Sequence, residues 1–249
     1  MPFTRTGLRE GDKRLSAPGY TDSQASATLT TPRIKICGIT KVEDALACAA
    51  LGADAIGLVF YPKSPRYVDI RHAADICSAL RPGIAKIGVF VNESFDTIME
   101  KAAGCGLSGV QLHGNESPAL AGRLRDAGLW VIKALFTNKT PETGKAEDYA
   151  GAAFLVECAG GTLPGGNALA WDWGSARSFG MRYPTILAGG LAPDTVAAAV
   201  RAAGPAGVDV SSGVESSPGR KDFQKIRDFI QAVHAMPCTP NQAVRRIFQ

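Results

Sequence analysis

The sequence predicts an α/β protein built as a single (β/α)8 barrel, also called a TIM barrel, because three observations agree. Short apolar runs rich in β-branched residues alternate with Ala-rich helical segments from residue 33 onward. Eight such runs follow one another, which is the number of strands that closes this barrel. The length of 249 residues is ordinary for one barrel domain. An open doubly wound sheet is the alternative, but no GxGxxG pattern follows the first run.

The eight predicted strands are short and apolar, as strands buried on both faces of a parallel sheet are. They cover 34–39, 55–60, 85–91, 109–114, 130–136, 153–158, 185–190 and 207–213. Parallel pairing needs a crossover between consecutive strands, which is usually a helix. Clear helical segments are 42–52, 73–81, 118–128, 193–204 and 222–235. We expect a clear helix after every strand except the sixth.

Both ends of the chain differ from the barrel segment, which we predict to span 33–235. Residues 1–32 are rich in Ser, Thr and Gly, carry mixed charges and have no apolar stretch typical of a signal peptide. They predict a flexible N-terminal extension. An organelle transit peptide is the alternative, which the acidic residues of this segment disfavour. Residues 236–249 are predicted to form a C-terminal tail.

The composition excludes several classes of partner. Lys and Arg number 27 against 23 for Asp and Glu, and the net charge of +4 is too small and dispersed for a nucleic-acid or polybasic membrane surface. No apolar run approaches the roughly 20 residues of a membrane helix. The six cysteines form no CxxC pair and only three histidines occur, so no metal site is expected. Scattered thiols without a secretion signal are typical of a cytoplasmic protein.

A barrel places its chemistry at the C-terminal ends of its strands, and Cys37 ends the first one. Alternation along that strand puts Lys35 and Cys37 on the same face. A nearby ammonium favours the thiolate, which can act as a base or a nucleophile. The alternative for Cys37 is a small buried hydrophobic residue.

Two further polar residues follow other strands. Arg66 lies in a loop that Pro62 and Pro65 stiffen, which suits a guanidinium that grips a carboxylate. A solvated surface arginine is the alternative. His113 ends the fourth strand on the same face as Gln111, either as a polar site residue or as a hydrogen-bonded residue of the barrel.

Glu157 ends the sixth strand and is the predicted acid or base. A carboxylate in an apolar strand is costly to bury without a partner, so a functional position at the rim is favoured over packing. The alternative is a salt bridge to a lysine such as Lys133 or Lys35. A Gly-rich loop follows at 159–167, of a composition that can close over a ligand.

The loops after the seventh and eighth strands together predict a phosphate site, which recurs at this place in barrels. Their glycines let backbone N–H groups approach an anion, and their serines add hydroxyl donors. The residues concerned are Gly189, Gly190, Ser211, Ser212 and Gly213.

Eight motifs in order along the chain resemble the phosphoribosylanthranilate isomerase family, a barrel enzyme of tryptophan biosynthesis. KICGIT at 35–40, SPRYV at 64–68 and DVSSGVE at 209–215 are the most specific. The others are GVFVN at 88–92, GVQLHGNE at 109–116, VIKAL at 131–135, WDW at 171–173 and LAGGL at 187–191. Together they extend over nearly all of residues 33–233.

This resemblance implies an Amadori rearrangement of N-(5-phosphoribosyl)anthranilate without a metal or organic cofactor. The family's base corresponds to Cys37, its carboxylate-binding arginine to Arg66, and the aspartate near the anthranilate amine to Asp209. The resemblance also implies that the glycines and serines already named bind the substrate phosphate, and that a small phosphorylated molecule is the partner. Members of the family occur as monomers and homodimers.

The chain departs from the family pattern around the acid. The family's aspartate is Glu157 here, which carries its carboxyl group one methylene farther from the backbone. A misplacement of about 1 Å can cost on the order of 100-fold in rate. The loop at 165–168 ends in Ala where the family has Gly, and Thr195 stands where Asn is common. Two hypotheses follow: a working isomerase with Glu157 as acid, or a catalytically impaired barrel that binds phosphoribosyl or anthranilate ligands as a regulatory module.

Overall fold

The computed structural model describes residues 31–158, 171–236 and 247–248. Its eight parallel strands close into a barrel in the order β1 to β8, so the predicted fold is confirmed. Nearly all of the predicted N-terminal extension, the whole Gly-rich loop at 159–167 and most of the predicted tail lie outside the described residues.

Each barrel strand begins within one residue of its predicted first residue, and several strands end earlier than predicted. The strands are β1 Arg33–Cys37, β2 Ala55–Val59, β3 Ala85–Phe90, β4 Gly109–Leu112, β5 Trp130–Phe136, β6 Ala153–Glu157, β7 Thr185–Leu187 and β8 Gly207–Val210. A two-stranded antiparallel hairpin follows β8, formed by β9 Glu215–Ser217 and β10 Arg220–Lys221.

Helices connect most of the strands and cover the outside of the barrel. They are α1 Val42–Leu51, α2 Ile70–Ala79, α3 Phe95–Cys105, α4 Pro118–Asp126, α5 Arg177–Gly180, α6 Val196–Ala203 and α7 Phe223–His234. Side chains of Asp69, Ser94, Ser117 and Asp222 accept hydrogen bonds from backbone N–H groups of the first turns of α2, α3, α4 and α7. These caps explain where four of the helices begin.

The expectation of a clear helix after the fifth strand is wrong. That connection contains only a 3-10 turn at Thr143–Tyr149. Pro141 and Gly144 interrupt the segment, and both are poor residues for a helix interior. The weak sixth unit is confirmed, since its connection holds a 3-10 turn at Trp173–Ala176 and the four-residue α5.

Two apolar layers follow from the alternation of side chains along the strands. Ile34 and Ile36 of β1 pack with the helices in the larger outer core. A smaller cluster fills the barrel interior and includes Ile132, Leu155 and Ile186 from β5, β6 and β7. Lys35 and Cys37 alternate with the two isoleucines and share a face, as predicted, and that face is the interior of the barrel.

The last two described residues pack against the start of the barrel strands. Ile247 and Phe248 are both buried and belong to the interior cluster, together with Ala55 and Ala206 at the N-terminal ends of β2 and β8. A Cβ on Gly207 would lie 3.5 Å from Ile247 Cδ1. Both residues fall within the range predicted as a tail, and they close the end of the barrel opposite to the predicted site. In the ranges that the structure describes, no helix combines the length and the apolar character needed to cross a membrane.

Candidate active site

Cys37 ends β1 in contact with a buried charged pair. The Lys35 ammonium donates to Asp209 Oδ1 over 2.9 Å and lies close to the Cys37 thiol. Gly57 of β2 leaves the room for this arrangement, because a Cβ there would lie 2.7 Å from Cys37 Sγ and 3.1 Å from Lys35 Nζ. Lys35 therefore links the residue predicted as base with the aspartate predicted to lie near the substrate amine.

Burial raises the pKa of the Cys37 thiol above its ordinary value. The Lys35 ammonium opposes this effect and the neighbouring Asp209 carboxylate adds to it. The expected influence of the ammonium is therefore present but smaller than the cost of burying a thiolate. The protonated thiol is the resting form at neutral pH.

Glu157 ends β6 and pairs with a histidine across the rim. Its Oε1 lies 2.9 Å from His113 Nε2, and His113 Nδ1 lies 2.8 Å from Gln111 Nε2. The edge of the His113 ring meets Phe136 at a centroid distance of 5.9 Å, which fixes the plane of the imidazole. Gln111, His113 and Glu157 form a continuous buried chain of polar side chains from β4 to β6.

The salt bridge to a lysine that the sequence left open for Glu157 is not the pairing that the structure has. Lys133 donates instead to the carbonyl oxygens of Leu112 and Gly114 and to Glu116 Oε2, over 2.7–3.1 Å. Lys35 pairs with Asp209. Both lysines are thus committed to other partners.

Arg66 is buried rather than solvated, so the surface alternative is wrong. Its Nε and Nη2 donate to the two carboxylate oxygens of Glu215 over 2.8 and 2.7 Å. Glu215 also accepts from Lys221 Nζ over 2.8 Å. Sequence reasoning assigned no role to Glu215 or Lys221, although Glu215 ends the DVSSGVE motif and Lys221 follows six residues later.

The two loops predicted to bind phosphate lie directly against each other. Gly189 and Gly190 have φ angles of 82° and 68°, a region that glycine adopts without strain. A Cβ on Gly213 would overlap the carbonyl oxygen of Leu191, so the close approach of the two loops requires glycine there. The indole of Trp173 donates to Gly189 O over 3.0 Å and holds the first loop in place.

Ser211 differs from the other predicted phosphate residues because its hydroxyl has a protein partner. Ser211 Oγ donates to Cys37 O over 3.1 Å and ties the end of β8 to the end of β1. Thr195, at the position where Asn is common, donates to Gly190 O over 3.1 Å and accepts from Ala192 N over 2.8 Å. It therefore braces the first loop.

The barrel order places the two loops between the residues predicted as acid and base. Glu157 lies on β6 and Cys37 on β1, and β7 and β8 separate them in the closed sheet. A Cβ on Gly189 would lie 3.4 Å from Glu157 Cβ, so the acid borders the first loop. The segments that the structure describes contain no group of three or more His, Cys, Asp or Glu arranged to hold a metal ion.

This fold and rim are those of a (β/α)8-barrel enzyme, with a carboxylate on β6 and a thiol on β1 flanking the two loops predicted to bind phosphate. The comparisons with known proteins give the particular family. The family model described as N-(5'phosphoribosyl)anthranilate (PRA) isomerase matches residues 34–232. The chain belongs to this family, and the resemblance stated from its motifs is confirmed.

Individual relatives agree with the family model. An N-(5'-phosphoribosyl)anthranilate isomerase of Desulfatibacillum aliphaticivorans is 53% identical over 199 residues, covering 80% of this chain and 91% of that protein. The phosphoribosyl anthranilate isomerase structure from Thermotoga maritima matches with a TM-score of 0.77 at 38% identity, covering 82% of this chain and 100% of that one. Another isomerase structure, in complex with reduced 1-(o-carboxyphenylamino)-1-deoxyribulose 5-phosphate, matches with a TM-score of 0.74 at 37% identity and the same coverage.

Proposed function

We propose that this chain catalyses the isomerase reaction of its family, the Amadori rearrangement of N-(5'-phosphoribosyl)anthranilate to 1-(2-carboxyphenylamino)-1-deoxyribulose 5-phosphate in tryptophan biosynthesis. The observation that carries the proposal is the placement of Glu157 and Cys37 on opposite sides of the loops after β7 and β8. A sugar phosphate anchored in those loops presents its ribose to both groups. Acid–base catalysis needs that geometry.

Glu157 acts as the general acid that protonates the ribose ring oxygen; the C1′–O bond breaks as the nitrogen lone pair forms a double bond to C1′, which opens the ring to a protonated imine (iminium). The His113 chain accommodates both protonation states of the carboxyl group. When the Gln111 amide nitrogen donates a hydrogen bond to Nδ1, the imidazole carries its proton on Nε2. This Nε2–H donates a hydrogen bond to the Glu157 carboxylate. With the amide turned over, Nδ1–H donates to the Gln111 oxygen and Nε2 accepts from the protonated acid. His113 therefore holds the acid before and after proton transfer.

Cys37 acts as the general base that removes the proton from C2′ of the imine. The resulting enolamine tautomerises to the ketone. The thiol must first lose its own proton, and the ammonium of Lys35 and the more distant charge of Lys221 favour the thiolate against the cost of burial. The iminium charge formed in the first step adds a further cation close to the base and favours the thiolate in the same way.

The remaining predicted residues bind the substrate. Arg66 faces the anthranilate carboxylate, Asp209 lies near the amine, and His113 borders the ribose through its contact with the acid. The phosphate lies on backbone N–H groups and hydroxyls of Gly189, Gly190, Ser211, Ser212 and Gly213, with the hydroxyl of Ser211 giving up its bond to Cys37 O if it contacts the phosphate.

The proposal includes three further properties. The chain divides into segments 1–32, 33–235 and 236–249. It is located in the cytoplasm and is a monomer or a homodimer. Scattered thiols support the location. Dimerisation has a precedent in a Thermotoga maritima relative at 36% identity that is described as dimeric.

The test is turnover of freshly made phosphoribosylanthranilate by the purified full chain, followed as loss of anthranilate fluorescence. We expect turnover by the native chain and a loss of about 100-fold or more in kcat for Cys37→Ser, because a hydroxyl is a poor base at neutral pH. Cys77→Ser, a buried thiol on α2, is the matched control. Binding of the reduced product analogue without turnover by the native chain would favour the binding module instead.

A further inference from the structure

A second polar cluster, next to the base, has no role in the proposed proton transfers. It consists of Arg66, Glu215 and Lys221, and all three side chains are at least nine-tenths buried. We infer that Glu215 is a positioning residue that holds the Arg66 guanidinium, with Lys221 as its brace, so that one edge of the guanidinium stays available for the substrate carboxylate. This inference rests on the proposed function.

The contact between Glu215 and Arg66 fixes the guanidinium in two directions. Two parallel N–H···O bonds of 2.8 and 2.7 Å define the plane of the group and its rotation within that plane. Arg66 Nη1 has no hydrogen bond to any residue that the structure describes. The aliphatic part of the Arg66 side chain packs directly against Gly38, because a Cβ on Gly38 would overlap Arg66 Cδ. The side chain therefore has little freedom left to lose when it binds a ligand.

Lys221 keeps Glu215 in place from the other side. Its Nζ donates to Glu215 Oε1 over 2.8 Å and to Ser211 O over 3.0 Å. Lys225 on α7 donates to the carbonyl oxygen of Glu215 over 2.8 Å. The carboxylate is thus held by its side chain and by its backbone.

The hairpin β9–β10 carries Glu215 and Lys221, and contacts with two neighbouring segments hold it against the rim. Thr40 Oγ1, after β1, donates to Gly219 O over 2.9 Å. A Cβ on Gly219 would lie 2.7 Å from Pro65 O, so the hairpin turn lies directly on the loop that carries Arg66. The loop after β2 and the hairpin after β8 form one rigid unit at this side of the rim.

The charge of the cluster suits an anionic ligand. Burial alone would raise the pKa of Glu215. The hydrogen bonds from Arg66 and the charge of Lys221 outweigh the effect of burial, so the net pKa of Glu215 is lowered and its carboxylate is ionised. Burial lowers the pKa of Lys221, whereas for Arg66 the hydrogen bonds and charge of Glu215 outweigh burial and raise the pKa, so the guanidinium stays charged. The edge of this guanidinium that Glu215 does not occupy offers charge-assisted N–H donors to a ligand carboxylate.

The competing view makes Glu215 an occupant that the substrate carboxylate must displace from Arg66. The two views differ in the sign of one effect. A positioning residue strengthens carboxylate binding, so its loss raises KM. A competitor weakens carboxylate binding, so its loss lowers KM.

The experiment compares Glu215→Gln and Glu215→Asp with the native chain. For Glu215→Gln we expect KM to rise about tenfold or more with a smaller change in kcat, because the amide cannot accept both guanidinium bonds. Glu215→Asp keeps a carboxylate beside Arg66 and Lys221 but withdraws it by one methylene. We expect this variant to fold and to show a smaller rise in KM than Glu215→Gln. In an Arg66→Met background, Glu215→Gln should add little further loss, since the two residues act as one unit.

The matched control is Glu147→Gln, which breaks the exposed Arg182–Glu147 pair of 2.8 Å and should leave KM unchanged. Direct binding separates this inference from the proposed function. Glu215→Asp should weaken the reduced product analogue, which carries the carboxylate, and leave ribose 5-phosphate unaffected, even in a chain without turnover. An unchanged or lowered KM and Kd in both variants, or equal weakening of both ligands, would overturn the inference.

Discussion

Cys37 illustrates how opposing influences on one thiol set the chemistry of the site. Burial raises its pKa, while the ammonium of Lys35 lowers it and the carboxylate of Asp209 raises it. As the proposed base, Cys37 starts from the protonated thiol, and its active fraction grows as pH rises toward its pKa. Lys35 limits the rise in the pKa more than the more distant Lys221 does.

The pH dependence of kcat/KM tests this arrangement. We expect kcat/KM to rise with pH from neutral into the alkaline range, because deprotonation of Cys37 produces the base. In Lys35→Met the opposing cation is gone, the pKa of Cys37 rises further, and the same limb moves to higher pH. The measurement is kcat/KM across about pH 6 to 10 for both chains. A limb that stays in place or moves to lower pH in Lys35→Met would be inconsistent with Lys35 favouring the thiolate.

Among the elements, the strands were the most predictable part of the fold. Buried parallel strands are apolar runs, so β5 was predicted with its observed bounds, Trp130–Phe136. The connection after β5 was not, because the rule that a crossover contains a helix does not require one once Pro141 and Gly144 interrupt the segment. Hairpin β9–β10 was also missed. Its residues are polar and show no apolar strand pattern, and only Glu215 and Lys221 of its two strands are buried, against the loop after β2 and the end of β8.

The C-terminal residues give a prediction at the level of an element. Phe248 is buried against the N-terminal ends of the strands, opposite to the rim that carries Cys37 and Glu157. We expect Phe248→Ala to lower the free energy of unfolding by about 3 kcal/mol, since it leaves a cavity beside the barrel interior, and to leave kcat unchanged. Chemical denaturation and steady-state kinetics measure both.

The matched control is Phe223→Ala, because that ring, at the start of α7, is 46% exposed. Its loss should cost about 1 kcal/mol or less. Equal stability of Phe248→Ala and the native chain would show that the C-terminal residues do not support the barrel in solution.

At the scale of the whole molecule, the closed sheet explains why residues 120 positions apart in sequence serve one site. Cys37 on β1 and Glu157 on β6 are both at C-terminal strand ends, and the loops after β7 and β8 lie between them. The barrel rule therefore predicted which residues gather at the rim. It did not predict their partners. Alternation identifies the face of a side chain but not the neighbour that it meets across the barrel, so the sequence offered only a lysine as an alternative partner for Glu157, whereas the structure pairs it with His113.

The central claim is that Glu157 serves as the general acid although the family pattern has aspartate there. The most direct measurement is the kcat of Glu157→Gln beside binding of the reduced product analogue. We predict a fall of about 100-fold or more in kcat with binding retained, because the amide keeps its hydrogen bond to the imidazole and has no proton to give. Glu157→Asp should retain part of the activity. Near-native turnover by Glu157→Gln would contradict the account.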